Sequence, residues 1–216
     1  MASDAASAAE VMPKQLFEQL ENAVLFSTSD NPPINDTIYL RLGEGFMVTA
    51  GRGKYAAGID TRPVESVDPE VAEVILDPDQ VMDFVRAAKK LKGFGGKTAR
   101  CDLEVSREAV TVRFGGDSFT LGRSELADDV ETTEEFEGIY DHLFRMVEEN
   151  RAWDMPSRMV ILRKMFKLLD KIKAGTTGKD EDPFAFLSRP EGSFGNGLVT
   201  CRVGPVRVYQ VAAEVD

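Results

Sequence analysis

The apolar and polar positions of the first 60 residues predict one helix followed by three antiparallel strands. Pro13 suits the first turn of a helix that runs from Lys14 to Phe26. The apolar residues of this helix recur at helical spacing on one face: Leu16, Phe17, Leu20, Ala23 and Val24. We expect Gln15, Glu18 and Asn22 to face outward. Three alternating runs follow, as in strands: Ile38, Leu40 and Leu42; Phe46 and Val48; Tyr55, Ala57 and Ile59.

The same order of elements recurs further along the chain. A strand at Val71–Leu76 leads to Asp77, a good helix N-cap, and to Pro78 at the first helical position. The helix at Gln80–Lys92 precedes strands with these apolar positions: Cys101, Leu103 and Val105; Val110, Val112 and Phe114; Phe119 and Leu121. A third helix is predicted at Ser157–Ala174, with a buried side of Met159, Leu162, Met165, Phe166, Leu169 and Ile172. Strands around Phe184 and Phe186, at Leu198–Val203 and at Val206–Val211 complete the pattern.

This repetition predicts an α+β fold of two domains, since each helix would bury one face on an antiparallel sheet. The repeating unit of one helix and three strands covers residues 13–60, 78–122 and 157–213. We expect a first domain at residues 13–124, an acidic connector at 125–137 and a second, short domain at 138–216. Residues 1–12 are rich in Ala and Ser and are expected to form a flexible tail rather than a signal peptide.

The charges are unevenly distributed along the sequence. The formal net charge is −11, yet residues 80–100 and residues 157–173 each contain six basic residues and one acidic residue. Each segment therefore carries +5, which leaves −21 for the rest of the chain. A simple nucleic-acid-binding protein is basic overall. This pattern instead indicates a local positive surface on a protein whose remaining surface is acidic and repels nucleic acid.

The sequence contains no recognisable catalytic or metal-binding constellation. Cys101 and Cys201 lie in alternating apolar runs that favour burial, and the only histidine, His142, excludes a Cys/His zinc site. The Gly96-Lys97-Thr98 segment lacks the earlier glycine of a phosphate-binding loop, since position 91 is Leu. The acidic connector lacks the residue spacing of a calcium loop. We therefore predict a protein that is not an enzyme and needs no cofactor or metal.

The two basic helices hold the candidate binding residues. On the first, Arg86 and Lys90 lie opposite the apolar stripe and Lys89 lies on its flank. On the second, Lys164, Lys167 and Lys171 lie opposite the buried side. The full candidate set is Arg86, Lys89, Lys90, Lys92, Lys97, Arg163, Lys164, Lys167 and Lys171. From the residues alone, contact with phosphates and an ordinary solvated face remain equally open.

Four stretches, taken in order, resemble a DNA polymerase sliding clamp, a processivity factor of the phage or bacterial type. They are Phe17–Val24; Ile38–Leu42 with Met47–Ala50; Val74–Phe84; and Ser118–Arg123 with Glu135-Phe136-Glu137. Together they cover about residues 14–140, while the C-terminal third fits only as a helix and strands. The first helix departs from the clamp pattern because it has no basic face.

The resemblance implies a ring with helices inside and sheets outside that encircles duplex DNA without reading its sequence and tethers a replicative polymerase. It implies a homo-oligomer, a homotrimer if each chain supplies two of six domains, with no membrane contact and a cytoplasmic location (the host cytoplasm if phage-encoded). It also implies partner peptides from the polymerase and the clamp loader. Ser124–Glu137 and Val206–Val211 are candidates for the pocket that takes them.

Two other functions remain open on the sequence. The chain could be a non-enzymatic protein-binding regulator whose basic helices contact an acidic partner. It could also be an enzyme whose site has no recognisable pattern. Salt-dependent association with DNA of any sequence would distinguish the clamp from the regulator.

Overall fold

A computed structural model describes residues 6–27, 37–53, 56–65, 68, 70–94, 96, 98–128, 163–174, 185–188 and 198–211. Its helices are α1 (Pro13–Phe26), α2 (Pro78–Ala88) and α3 (Arg163–Leu169). The strands of the N-terminal part are β1 (Ser7–Val11), β2 (Ile38–Gly43), β3 (Phe46–Arg52), β4 (Ala56–Pro63), β5 (Ala72–Leu76), β6 (Cys101–Val105), β7 (Ala109–Phe114) and β8 (Asp117–Gly122). Those of the C-terminal part are β9 (Ala185–Ser188), β10 (Leu198–Val203) and β11 (Val206–Val211).

The first two helix-and-strand units exchange their leading strands. β5, which precedes α2, joins the sheet of the first unit in the order β5-β2-β3-β4. β1, which precedes α1, joins the sheet of the second unit in the order β1-β6-β7-β8. All of these pairs are antiparallel, so the expected α+β architecture is confirmed, and the exchange makes the two units a single body.

The start of the chain corrects one expectation. Residues 7–11 are a strand and not part of a flexible tail, because Ser7, Ala9 and Val11 alternate inward and pair with β6. These small side chains carry too weak a hydrophobic signal to predict a strand from the sequence. Their burial depends on the edge of β6, which only the folded chain supplies.

One large core lies between the two helices and the two sheets. Asp77 caps α2 as expected, and its side chain accepts from the amides of Asp79 and Gln80. Phe17 on α1 packs against Phe84 on α2, with ring centroids 6.0 Å apart. The core therefore packs α1 and α2 side by side, each against its own sheet.

Gly51 shows how closely α1 approaches its sheet. A Cβ at this position would lie 1.9 Å from the carbonyl oxygen of Ala23. We expect Gly51→Ala to lower the free energy of unfolding by about 1–3 kcal/mol, because backbone must move to relieve the overlap. Urea denaturation measures the change. Gly116→Ala is the matched control, since nothing lies within 4 Å of its Cβ position, and an unchanged Gly51→Ala variant would contradict the packing.

The C-terminal strands extend the first sheet. β11 pairs antiparallel with β4, and the seven-stranded order is β5-β2-β3-β4-β11-β10-β9. A second, smaller core of Phe26, Leu169, Val203, Val206 and Val208 seals this junction. The third unit is thus joined to the first by strand pairing and by apolar packing.

The third helix is shorter than the sequence predicts. Within the described residues it covers Arg163–Leu169, and residues 170–174 leave the helical path. Leu169 is buried as expected, whereas Phe166 is 52% exposed and does not belong to the described core. Residues 157–162 lie outside the described residues, as do the acidic connector beyond residue 128, His142 and the start of the second expected domain.

Candidate nucleic-acid interface

The basic residues of the first segment lie on and just after α2 and point to solvent. Arg86 is exposed on the helix and forms an ion pair with Asp83 at 3.0 Å. Lys89, Lys90 and Lys92 lie in the turns that follow α2, and all three are exposed. Lys97 lies outside the described residues. The structure therefore brings four of the five candidates of this segment to one end of α2.

The second basic segment is described in part. Lys167 on α3 and Lys171 just after it are both exposed. Arg163 and Lys164 lie on α3, but their side chains are outside the described part of the structure. Lys173, which is not in the predicted candidate set, is exposed as well and contacts α1.

Glu21 on α1 joins the two basic segments. One of its carboxylate oxygens accepts from Lys89 Nζ at 2.7 Å, and the other accepts from Lys173 Nζ. Burial alone would raise the pKa of Glu21, but the hydrogen bonds from Lys173 and Lys89 outweigh it and lower the pKa. Glu21 is therefore ionised at neutral pH, and segments more than 80 residues apart in sequence meet at this one carboxylate.

The polar face of α1 is a contact surface and not an outward-facing one. Asn22 was expected to point to solvent, yet it is buried, and Glu18 is mostly covered. Asn22 Nδ2 donates to the carbonyl oxygen of Lys173 at 2.9 Å, and Asn22 Oδ1 accepts from the amide of Lys173 at 2.8 Å. These bonds fix the backbone of Lys173 to α1, just beyond the end of the third helix at Leu169.

A buried ion pair supports this contact from the sheet. Arg62 on β4 donates to both carboxylate oxygens of Asp60 at 3.0 Å and to Glu18 at 2.6 Å. It also donates to the carbonyl oxygen of Lys173 at 2.8 Å. Burial alone would lower the pKa of Arg62, but the Asp60 and Glu18 carboxylates offset it and raise the pKa. Arg62 is a fixed cation that ties α1, β4 and residue 173 together.

The described residues offer little for catalysis. In this part of the chain, no group of three or more His, Cys, Asp or Glu side chains is placed to hold a metal ion. Burial raises the pKa of the Cys101 thiol to about 12, so it is a poor nucleophile at neutral pH. Among the described helices, none is long and apolar enough to cross a membrane.

Both stretches predicted to form a peptide pocket contain buried residues. Val206 and Val208 are buried in the smaller core, so these two side chains line no surface pocket. Ser124 and Ala127, at the start of the acidic connector, are buried, and the amide of Ser124 donates to the carbonyl oxygen of Ile75. Residues 129–137 lie outside the described residues.

Solved structures with a similar arrangement are bacterial sliding clamps. A DNA polymerase sliding clamp from Pseudomonas aeruginosa matches 97% of this chain with a TM-score of 0.63 and 11% identity. A sliding clamp from Bartonella birtlesii matches 97% with a TM-score of 0.60 and 13% identity. The Helicobacter pylori beta clamp bound to a DNA ligase peptide matches 97% with a TM-score of 0.54 and 10% identity. The chain has the sliding-clamp fold.

Among the comparisons with known proteins, those of structure identify the clamp fold and those of sequence do not. No protein-family model and no curated protein matches the sequence. The chain spans about two thirds of the length of the clamps it matches, covering 65% of the Pseudomonas and Bartonella chains and 67% of the Helicobacter chain. The resemblance proposed from four short stretches of sequence is thereby confirmed at the level of fold.

Two polar residues of α1 are buried and bind neighbouring segments, a role that the helical periodicity of the sequence does not indicate. Gln19 and Asn22 are spaced three apart on α1, and both are buried. The amide of Gln19 donates to the carbonyl oxygens of Met47 and Asp60. The sequence of α1 contains one indication of this role. The helix has an apolar face and no basic residue in its second half, which favours packing within the chain over binding of nucleic acid.

Proposed function

We propose that this protein is a sliding clamp, a ring of several copies that encircles duplex DNA without sequence specificity and tethers a replicative polymerase. The observation that supports it most strongly is the meeting of the two basic segments at Glu21, on the side of the molecule that carries the helices. Exposed cations gathered there in a chain of net charge −11 suit contact with phosphates, while the acidic remainder limits other contacts.

The cations available for phosphate contact are Arg86, Lys90, Lys92, Lys167 and Lys171. Lys89, Lys97, Arg163 and Lys164 complete the proposed set from the sequence. Lysine and arginine bind phosphate oxygens without reading base edges, so such a surface permits movement along the duplex. We propose that the protein is not an enzyme and that it acts without a cofactor.

Ring closure is proposed to need three copies, as two clamp domains per chain would complete six. No described strand pairs with the edge of β8 that faces away from β7, and we propose that this edge receives a strand from a neighbouring copy. The proposed partners are duplex DNA, the polymerase and the clamp loader. The ligase peptide on the Helicobacter clamp supports a role in holding partner peptides.

The native mass in solution tests the ring. Light scattering on a sizing column, over a dilution series, is expected to give a stable species near three times 23.8 kDa. A chain that is part of a closed ring must assemble, because one copy cannot surround a duplex. A dimer would contradict the proposed domain count, and a monomer at every concentration would favour the alternative function.

The alternative is a protein-binding regulator whose basic helices contact an acidic partner. The exposed Lys167 and Lys171 suit either partner, so competition distinguishes the two functions. A clamp is expected to bind blunt 30-base-pair duplexes of unrelated sequence equally and to resist competition by polyglutamate of equal charge. Binding to polyglutamate without binding to duplex DNA would support the regulator instead.

A further inference from the structure

Glu21 forms ion pairs with two of the cations that face the proposed DNA surface and so cancels one of their two charges. It bonds Lys89 and Lys173, one from each basic segment, and Lys89 also lies 5.7 Å from the centroid of the Phe17 ring. The side chain of Glu21 is 18% exposed, while those of Lys89 and Lys173 are 46% and 45% exposed. The two ammonium groups are thus accessible to solvent but are held by a less accessible carboxylate.

The junction does not depend on Glu21 for its stability. Ion pairs whose cations are about half exposed stabilise proteins little. The end of the third unit is held by the bonds of Asn22 and Arg62 to the backbone of Lys173 and by the pairing of β4 with β11. A carboxylate that pairs two cations at such a place has its main effect on the electrostatic potential outside the molecule.

From this placement we infer that Glu21 attenuates the attraction of the basic surface for DNA, holding back Lys89 and Lys173 so that the protein binds phosphates weakly enough to move. This inference rests on the proposed clamp function and adds a residue that sets its strength. Each cation that newly meets a phosphate steepens the dependence of affinity on salt by about 0.9 in log–log slope. Release of both lysines therefore steepens the slope by up to about 1.8.

Glu21→Gln tests the inference, because glutamine keeps the shape but removes the charge and replaces one of the two acceptor oxygens with an NH2 donor, which releases at least one lysine. We expect the variant to bind a blunt 30-base-pair duplex about 10-fold more tightly than wild type at 0.1 M salt, with a steeper salt dependence. Fluorescence anisotropy over a salt series measures both quantities. A thermal unfolding curve for each variant confirms that the fold is kept.

The matched control is Glu104→Gln. Glu104 on β6 pairs with Arg113 on β7 at 2.8 Å, so the control makes the same change of net charge and releases one cation on a sheet face. Its affinity for DNA is expected to change less than twofold. An equal gain in both variants would overturn the inference, because net charge alone would then explain it.

A second substitution separates the role of charge from a role in folding. Lys89→Gln is expected to remove about half of the logarithmic gain in affinity when it is combined with Glu21→Gln. Unchanged or weaker binding of Glu21→Gln, with salt-dependent binding by wild type, would overturn the inference alone. Wild type that shows no salt-dependent binding would overturn the proposed function itself.

Discussion

Replacing Arg62 with methionine should lower the free energy of unfolding by about 3–5 kcal/mol. The guanidinium group donates to both oxygens of Asp60, whose side chain is 1% exposed. Removing it leaves this carboxylate buried beside Glu18, with Asn22 as its remaining described side-chain donor. An uncompensated buried charge costs far more than the ion pair itself contributes. Urea denaturation, followed by circular dichroism, measures the loss.

Two further variants make this expectation specific. Arg41→Met removes a cation from an exposed pair with Glu44 and should cost less than about 1 kcal/mol. Adding Asp60→Asn to Arg62→Met removes the orphaned charge and should recover part of the loss. An Arg62→Met variant as stable as Arg41→Met would show that the network is not needed for folding.

Removing four exposed cations together should weaken DNA binding by at least about 100-fold at 0.1 M salt. The variant changes Arg86, Lys90, Lys167 and Lys171 to glutamine, and all four side chains are exposed. If each contacts one phosphate, the slope of log affinity against log salt should fall by about 3.6. Anisotropy with a blunt duplex measures both, and the unfolding midpoint should stay close to that of wild type, since these side chains are outside the core.

The control for this variant changes cations that do not lie on the helices. Arg107 lies in the turn between β6 and β7, and Arg113 lies on β7 itself; both are exposed. Changing these two to glutamine should lower DNA affinity less than threefold, as against about 10-fold or more for Lys167→Gln with Lys171→Gln. Equal losses in the two double variants would place the DNA surface elsewhere.

Local patterns predicted most elements of this fold well. The alternation in β10 and β11 gave their bounds without error, and Asp77 with Pro78 located the start of α2. These features depend on residues that are close in the sequence, so one amino-acid sequence is enough to predict them. The position of β1 was missed because its small residues become a strand only against β6.

The candidate site was predicted only in part, because some of its contacts join residues that are far apart in the sequence. Sequence located both basic segments, since charge is read directly from composition. It did not reveal that Lys89 and Lys173 share Glu21, or that Asn22 is buried, because these contacts join residues 68 to 152 positions apart. The exposure of Phe166 was missed for the same reason: helical periodicity selects a face but not which part of it is covered.

The sequence by itself determined the repeating unit of helix and strands, the placement of the cations and the absence of a recognisable catalytic pattern, because periodicity and charge are properties of the chain. The tertiary structure decided which units exchange strands, where the third helix ends and which cations form ion pairs with Glu21. Those outcomes depend on burial, which strengthens the bonds of Arg62 and Asn22 and exists only once distant segments meet.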